Sequence, residues 1–166
     1  NGWTATSGVW GISSERLYSV TDTDGRLLTR DLNLKDGVIQ TTVRGTLNSG
    51  TTYRSPALVF RIAEDRNGAI DTTNYLLVRL RQALVDLRKV DASAEPSLAT
   101  ATQTTTDGVD YQLRVQFRGT NIRVWVDDVL LINYNLLGTD LKYLEYAFGG
   151  WRWDVGGSPA TAARVD

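Results

Sequence analysis

A recurring alternation of apolar and polar residues within residues 109–135 limits the possible folds of this chain more than any other feature. Two consecutive runs, residues 111–117 and 122–126, place an apolar side chain at every second position, and a third apolar run covers residues 129–134. A period of two is typical of a strand with one buried face. The runs are separated by short stretches with turn chemistry. The pattern therefore predicts three antiparallel strands in a meander, with a core on one side.

The rest of the chain favours the same class of structure. No window keeps an amphipathic helical pattern for three turns, and Lys35-Asp36-Gly37 is a strong hairpin signal. Further strands are predicted at residues 9–12, 17–20, 26–32, 38–46, 57–63, 75–81, 83–90, 98–103 and 145–155. Residues 136–144 are predicted as a loop, because Gly138 and its neighbours interrupt any helix. Regularly spaced short strands indicate an all-β, antiparallel two-sheet sandwich.

Composition excludes several function classes. The chain has 166 residues, 42% of them hydrophobic and 22% charged, which is ordinary for one globular domain spanning residues 1–166. A formal net charge of −1 gives no reason to expect binding to nucleic acid. No apolar stretch is long enough to insert into a membrane. Because the chain begins abruptly at Asn1 and stops inside an apparent strand at Asp166, we expect a fragment of a longer protein.

Five stretches carry a resemblance to a known superfamily. The meander, residues 56–61 (PALVFR) and residues 74–80 (NYLLVRL) resemble strands of the concanavalin A-like (laminin G-like) lectin and glucanase jelly rolls. Residues 1–12 resemble the start of such domains in phage tail proteins and bacterial surface proteins, and residues 163–166 resemble their last strand. The resemblance implies a jelly-roll sandwich. It also implies a lectin-like binding module on a phage virion or bacterial surface protein, with an extracellular or virion-surface location.

The sequence argues against catalysis. Glycosidases of this fold class present paired carboxylates at fixed spacing on a strand, and no such spacing occurs here. Glu64-Asp65 lies in a predicted loop and Glu145 is isolated. The chain contains no His, which removes the commonest general base, and no Cys. We therefore expect a protein that is not an enzyme, and a glycan-degrading activity is the least favoured alternative.

A structural calcium ion is the one cofactor that the resemblance suggests, since many jelly rolls hold one with Asp carboxylates. Asp22 and Asp24 precede Gly25 in a pattern like the start of a calcium loop, although the rest of an EF-hand loop is missing. A jelly-roll site would join distant segments, for instance these residues and Asp166. The alternative is an ordinary Asp-Gly turn.

Two aromatic residues form the first candidate ligand site. Trp151 and Trp153 are two apart, so a strand would place both rings on one side and Arg152 on the other. Flat aromatic rings stack on the apolar faces of sugars, which makes the pair a candidate glycan platform. The alternative is that the rings close the core, as we expect for Trp3 and Trp10.

Arginines on neighbouring strands form the second candidate site. By alternation, Arg61, Arg79 and Arg81 share the face opposite the core with Tyr75. A face with these residues near Asp86 is suited to a glycan or a partner protein. The alternative is a solvated face with cross-strand ion pairs.

We therefore predict a non-catalytic module that binds glycan. The alternative is a structural decoration, tail or stalk domain that contacts neighbouring virion or surface subunits, with homo-oligomers formed through the parent protein.

Overall fold

A computed structural model of the chain describes the backbone of residues 3–7, 10–13, 16–19, 25–29, 34–44, 53–64, 70–71, 73–92, 94–106, 108–156 and 164–165. Side chains are described for residues 34–44, 55–64, 71, 73–92, 94–106, 108–147 and 149. No helix among these residues is long and apolar enough to cross a membrane.

The described backbone forms fifteen strands and one 3-10 helix, η1. In chain order they are β1 (Trp3–Ser7), β2 (Trp10–Ser13), β3 (Arg16–Ser19), β4 (Gly25–Thr29), β5 (Gly37–Arg44), β6 (Tyr53–Glu64), β7 (Ile70–Asp71), β8 (Asn74–Leu80), β9 (Leu84–Asp91), β10 (Ser97–Thr102), β11 (Asp110–Arg118), β12 (Asn121–Val126), β13 (Val129–Asn135), η1 (Gly138–Glu145), β14 (Phe148–Gly156) and β15 (Arg164–Val165).

The strands form two antiparallel sheets, which confirms the predicted sandwich. The first sheet has the order β1-β4-β14-β6-β8-β9-β10, with β7 paired to β6, and the second has the order β13-β12-β11-β5-β15-β3-β2. The order mixes strands from distant parts of the sequence, as expected for a jelly roll. Strands β1 and β7 fall where the sequence analysis placed none.

The meander forms one edge of the second sheet. Val115 pairs with Val124 across β11 and β12, and Val126 pairs with Val129 across the next turn. That turn consists of Asp127 and Asp128, which both have positive φ, at 47° and 64°. A two-residue turn with positive φ at both central residues has a backbone twist that matches the right-handed twist of the two flanking strands.

The main core lies between the two sheets. Leu58, Phe60 and Val78 of the first sheet face Val115 and Phe117 of the second. The rings of Phe60 and Phe117 stack with centroids 5.0 Å apart and an interplanar angle of 22°. Every second residue of β11 is buried, which confirms the side of the meander that was predicted to face the core.

The opposite face of the first sheet is also buried around β6, β8 and β9. A second apolar cluster there consists of Ala57, Val59, Ile62, Tyr75, Leu77 and Val90. Tyr75 is only 2% exposed. Tyr75 and Arg79 lie four positions apart in β8, so they share a face of the sheet as predicted. The prediction that Tyr75 is available to a ligand is wrong, because its side chain is buried. Apolar neighbours rather than solvent surround its ring.

Arg61 corrects a second prediction. It lies in β6 with a φ of 50°, and its side chain is 1% exposed. Its guanidinium carbon lies 5.5 Å from the ring centroid of Phe117, a residue of the main core. The predicted position on the outer face is therefore wrong. The left-handed torsion breaks the period-two alternation, and Arg61 points to the same side as Phe60.

The helix η1 is the third difference from the sequence analysis. Residues 136–144 were predicted as a loop, but Gly138–Glu145 form a 3-10 helix whose Tyr143 side chain is buried in the main core. The hydroxyl of Tyr143 donates a hydrogen bond of 2.7 Å to the carbonyl of Val90. Lys142 donates to Asp91 at 2.9 Å, and Lys89 forms an ion pair with Asp140. Contacts to distant strands, not local sequence, therefore hold this helix in place.

Candidate functional site

The predicted tryptophan platform lies on β14, between β4 and β6 of the first sheet. The register pairs Trp151 with Leu58 and Leu27, and Trp153 with Pro56 and Gly25. The side chains of Trp151, Arg152 and Trp153 lie outside the described residues, so the platform stays a prediction.

The predicted calcium ligands also lie outside the part of the chain that the structure describes. This holds for Asp22, Asp24 and Asp166. Within the described ranges, no group of three or more carboxylate, His or Cys side chains is arranged to hold a metal ion. The calcium site stays a prediction.

The predicted arginines do not meet in one place. Arg61 lies inside the sandwich, where its Nη2 donates to the carbonyl oxygens of Gly119 at 2.6 Å and Lys35 at 3.1 Å. The same atom lies 3.4 Å from a carboxylate oxygen of Asp36, and that oxygen accepts a hydrogen bond from the backbone N–H of Gly119. Burial lowers the pKa of Arg61, and Asp36 opposes this effect. Arg61 thus links two turns at one end of the second sheet.

Arg79 belongs to a different cluster, centred on Asp86. A carboxylate oxygen of Asp86 accepts hydrogen bonds from Arg79 at 3.0 Å and Arg88 at 2.9 Å, and the other oxygen accepts one from Ser97 at 2.8 Å. Burial would raise the pKa of Asp86, but hydrogen bonds from Ser97, Arg79 and Arg88 outweigh it and hold the pKa below its ordinary value. The side chain of Asp86 is 3% exposed. The cross-strand ion pairs of the alternative interpretation are therefore present, but the solvated face that it assumed is not, because the Asp86 carboxylate at the centre of the cluster is buried. Arg81 lies just beyond β8, half-buried, in the turn to β9.

A different surface brings accessible binding groups together. The outer face of the meander carries side chains that are half-buried or exposed, with amides and arginines in neighbouring rows. We call this surface the polar face and define it as Gln112, Arg114, Gln116, Arg118, Asn121, Arg123, Trp125, Asn133 and Asn135. Its position follows from the alternation, because the intervening residues of β11 and β12 are buried in the core.

One end of the polar face is concave. A recess of about 420 Å³ is lined by Gln116, Arg118, Asn121, Arg123 and Asn135. The volume is within the range of small-molecule sites in proteins, about 300–1,000 Å³. All five lining side chains are polar, so the recess is suited to a ligand with many hydrogen-bonding groups.

Trp125 lies two residues from the recess along β12. The guanidinium carbon of Arg114 lies over its ring, 4.5 Å from the centroid, and Arg114 also contacts Asp128 at 3.4 Å. Stacking on arginine fixes the orientation of the indole ring. An ordered, half-buried aromatic side chain beside a polar recess is a common arrangement at sites that bind amphipathic ligands.

The sequence analysis did not single out Trp125 or the recess. The signal was present, because Trp125 occupies a polar position of the alternation, next to Arg123, where a solvated strand has no need of a large aromatic. Arginines and amides without Lys or Glu on the same face were a second signal. That three strands bring these residues to one concave end became visible only with the register.

Comparisons with solved structures agree with the fold. The carbohydrate-binding module CBM66 from Bacillus subtilis superposes with a TM-score of 0.74 at 20% identity, covering 99% of this chain and 91% of that chain. The carbohydrate recognition domain of Emp46p in a potassium-bound form gives a TM-score of 0.72 at 15% identity, covering 99% and 85%. A glycoside hydrolase family 16 endo-glucanase from Bacteroides ovatus gives 0.67 at 10% identity, covering 98% and 92%.

No protein-family model and no curated protein sequence matches the chain. At these identities the similarity establishes the fold alone, and it agrees with the predicted antiparallel two-sheet jelly roll. The similar structures include proteins that bind carbohydrate and proteins that hydrolyse it, so the fold alone does not decide between binding and cleavage.

Proposed function

We propose that this chain is a carbohydrate-binding module that holds a saccharide on the polar face without cleaving it. The carrying observation is the recess beside Trp125, where donors and acceptors of three strands converge. Sugars combine an apolar ring face with polar hydroxyls, so they match an aromatic side chain next to amide and guanidinium groups. Among the similar structures are a carbohydrate-binding module and a carbohydrate recognition domain, which supports this proposal.

Binding without cleavage is favoured by the state of the described carboxylates. Asp86 and Asp140 are the two buried acidic residues in this part of the chain, and both are engaged in ion pairs with basic residues. A glycosidase needs one carboxyl group to remain protonated and a second within roughly 5–10 Å of it. The depressed pKa of Asp86 is the opposite of what a general acid requires.

For the biological setting we propose a phage virion or a bacterial surface protein, in an extracellular or virion-surface location. The resemblance of residues 1–12 to the opening of such domains supports this setting. A structural role in contacts between neighbouring subunits is the second candidate. The exposed apolar side chains of Val129 and Leu130, at the edge of the meander, favour it.

Two variants test the proposed function. Trp125→Ala should weaken saccharide binding by about tenfold, equivalent to about 1.4 kcal/mol, because the apolar stacking surface is removed. Leu137→Ala is the matched control, since Leu137 is an apolar residue that is 70% exposed and lies outside the polar face. Isothermal titration with oligosaccharides chosen from a glycan array gives the affinities, and a thermal melt of each sample separates binding loss from unfolding.

The predicted platform on β14 is the competing location. If Trp151 and Trp153 bind the sugar, alanine at either position should abolish binding at an unchanged melting temperature, while Trp125→Ala should bind normally. That result would move the site to the first sheet. Binding of no glycan, together with a stable self-association, would favour the structural role. Release of reducing ends from a bound polysaccharide would restore the enzyme alternative.

A further inference from the structure

We propose that the recess recognises the carboxylate of an acidic sugar, such as a uronic acid residue, through Arg118 and Arg123. This inference rests on the proposed function and specifies the chemical class of its ligand. It is carried by the pairing state of the two arginines, by the orientation of the amides around them and by their position in the sheet.

The two arginines have no anionic partner among the described residues. Most other described arginines pair with a carboxylate: Arg44 with Asp110, Arg79 and Arg88 with Asp86, and Arg114 with Asp128. Arg118 and Arg123 are exposed, and no carboxylate lines the recess. In a chain of net charge −1, two neighbouring cations without a counter-charge form a local positive site.

The register makes the two arginines neighbours on the same face of the sheet. Arg118 pairs with Asn121, and Arg123 pairs with Gln116, so the arginines are diagonal neighbours across β11 and β12. Diagonal neighbours in an antiparallel sheet are about 7–8 Å apart, within reach of long side chains. One anion between them can therefore contact both guanidinium groups.

The amides add further donors to the same site. The Nδ2 of Asn121 donates to the side-chain oxygen of Asn133 at 2.8 Å and to that of Asn135 at 3.0 Å. Both oxygens accept from Asn121, and no acceptor for the NH₂ groups of Asn133 and Asn135 is seen among the described residues, so these groups can donate to a ligand. Asn135 lines the recess with the two arginines.

A site with this excess of donors matches a group that only accepts hydrogen bonds. A sugar hydroxyl both donates and accepts, whereas an ionised carboxylate accepts at two oxygens, in the planar geometry that a guanidinium fork fits. Neutral sugars would leave the two charges uncompensated. We therefore expect acidic saccharides to bind more tightly than neutral ones of the same length.

The test compares ligands that differ in charge, in the anionic group or in the backbone that carries it. The probes are an oligogalacturonate, the same oligosaccharide after reduction of its carboxyl groups, a sulfated neutral oligosaccharide and a short polyglutamate. Titration at two salt concentrations should show tightest binding of the oligogalacturonate, weakened by salt. Arg118→Gln and Arg123→Gln should each reduce its affinity by about ten- to a hundredfold, as expected for the loss of a charge-assisted hydrogen bond.

Two further variants serve as controls. Arg123→Lys keeps the positive charge but lacks the planar pair of guanidinium N–H donors that binds both carboxylate oxygens. The affinity of this variant for the oligogalacturonate should therefore lie between those of the parent protein and Arg123→Gln. Lys142→Gln removes one positive charge at η1, which packs against the first sheet, and should bind like the parent protein. Because Arg118 and Arg123 are exposed, their substitution should leave the melting temperature within a few degrees of the parent value.

Each outcome separates this inference from the proposed function. Equal binding of the acidic and the reduced oligosaccharide would overturn the acidic-sugar inference and leave saccharide binding intact. Tighter binding of the sulfated probe, or equal binding of polyglutamate, would overturn the assignment of a sugar carboxylate. Normal binding by both Arg→Gln variants would remove the recess as the site. Binding of no saccharide at all would reject the proposed function itself.

Discussion

The guanidinium of Arg61 satisfies backbone carbonyl groups that the ends of the strands leave without a partner. Lys35 lies before β5 and Gly119 lies between β11 and β12, and both carbonyls accept from Arg61. Among the described residues no backbone N–H is seen to donate to either carbonyl, so the Arg61 side chain supplies the donors there. Arg61 therefore has a structural role that a surface position would not give it.

Replacing Arg61 should destabilise the protein strongly. Arg61→Met keeps much of the side-chain volume but leaves the two carbonyls without this donor, and we expect a loss of about 2–4 kcal/mol in the free energy of unfolding. Urea denaturation followed by tryptophan fluorescence measures it. Arg123→Met, at an exposed position, is the matched control and should change stability by less than about 0.5 kcal/mol. Similar values for both variants would contradict the buried role of Arg61.

Whether a single residue faces the core was predicted correctly where the alternation is regular, and wrongly where a left-handed backbone torsion interrupts it. The positions of Phe117 and Val124 in the core followed from period two, and both are buried. The same rule placed Arg61 outside, because a left-handed φ at an arginine leaves no mark in the sequence. Side-chain type gave no warning, since arginine is rarely buried.

The meander could be predicted from its own sequence, whereas the helix η1 could not. The strands of the meander carry their own signals of alternation and turn chemistry, so their existence and facing could be predicted. The helix η1 depends on the carbonyl of Val90 and on ion pairs with β9, contacts more than forty residues away in sequence. A local pattern cannot contain that information.

Tyr143 is the anchor of η1, and its hydroxyl should contribute to stability. Tyr143→Phe removes a buried hydrogen bond and should cost about 1–2 kcal/mol. Tyr146→Phe is the matched control: the Tyr146 ring contacts Tyr143 edge-on, with centroids 5.7 Å apart, and no hydrogen bond of its hydroxyl is seen among the described residues, so little change is expected. Thermal denaturation of the two variants at neutral pH gives the comparison.

The same residue predicts a dependence on alkaline pH. Burial, together with the negative charges of Asp91 and Asp140, raises the pKa of Tyr143. A raised pKa means that the folded state holds the proton more tightly than the unfolded state, so stability falls as the pH rises above about 10. Tyr143→Phe should show a shallower fall over this range. An identical fall in both proteins would argue against a buried, protonated hydroxyl.

For the whole molecule, the Asp86 cluster predicts the behaviour in acid. The pKa of the Asp86 carboxyl group is held below its ordinary value. The ionised carboxylate therefore stabilises the fold fully above about pH 4, and this stabilisation is lost as the pH falls through the folded-state pKa. Asp86→Asn should be less stable at neutral pH and should show a smaller slope of unfolding free energy against pH below about 4. Asp128→Asn, at a side chain that is 75% exposed, should keep the parent slope. An unchanged slope in Asp86→Asn would show that other carboxylates dominate acid unfolding.

At the same scale, the sequence predicted the fold better than the site. Strand signals recur along the chain, and a sandwich needs little more than their spacing. A binding site instead depends on which strands become neighbours: Asn121, Asn133 and Arg118 meet through two registers that no single segment specifies. The tryptophans of β14 could be noticed in the sequence because they are only two positions apart, whereas the recess is formed by the pairing of three strands.

The hydrogen bond from Arg61 to the carbonyl of Gly119 should reduce the conformational entropy that is lost when a ligand binds in the recess. Gly119 lies between Arg118 and Thr120 in the turn that joins β11 and β12, two of the three strands that line the recess, and Arg61 fixes that turn from the interior. A ligand that binds there meets a backbone that is already ordered, so little conformational freedom is lost on association. Heating that loosens the interior around Arg61 should therefore lower affinity before it unfolds the protein. The affinity measured at the recess would then depend on how well the core around Arg61 is packed.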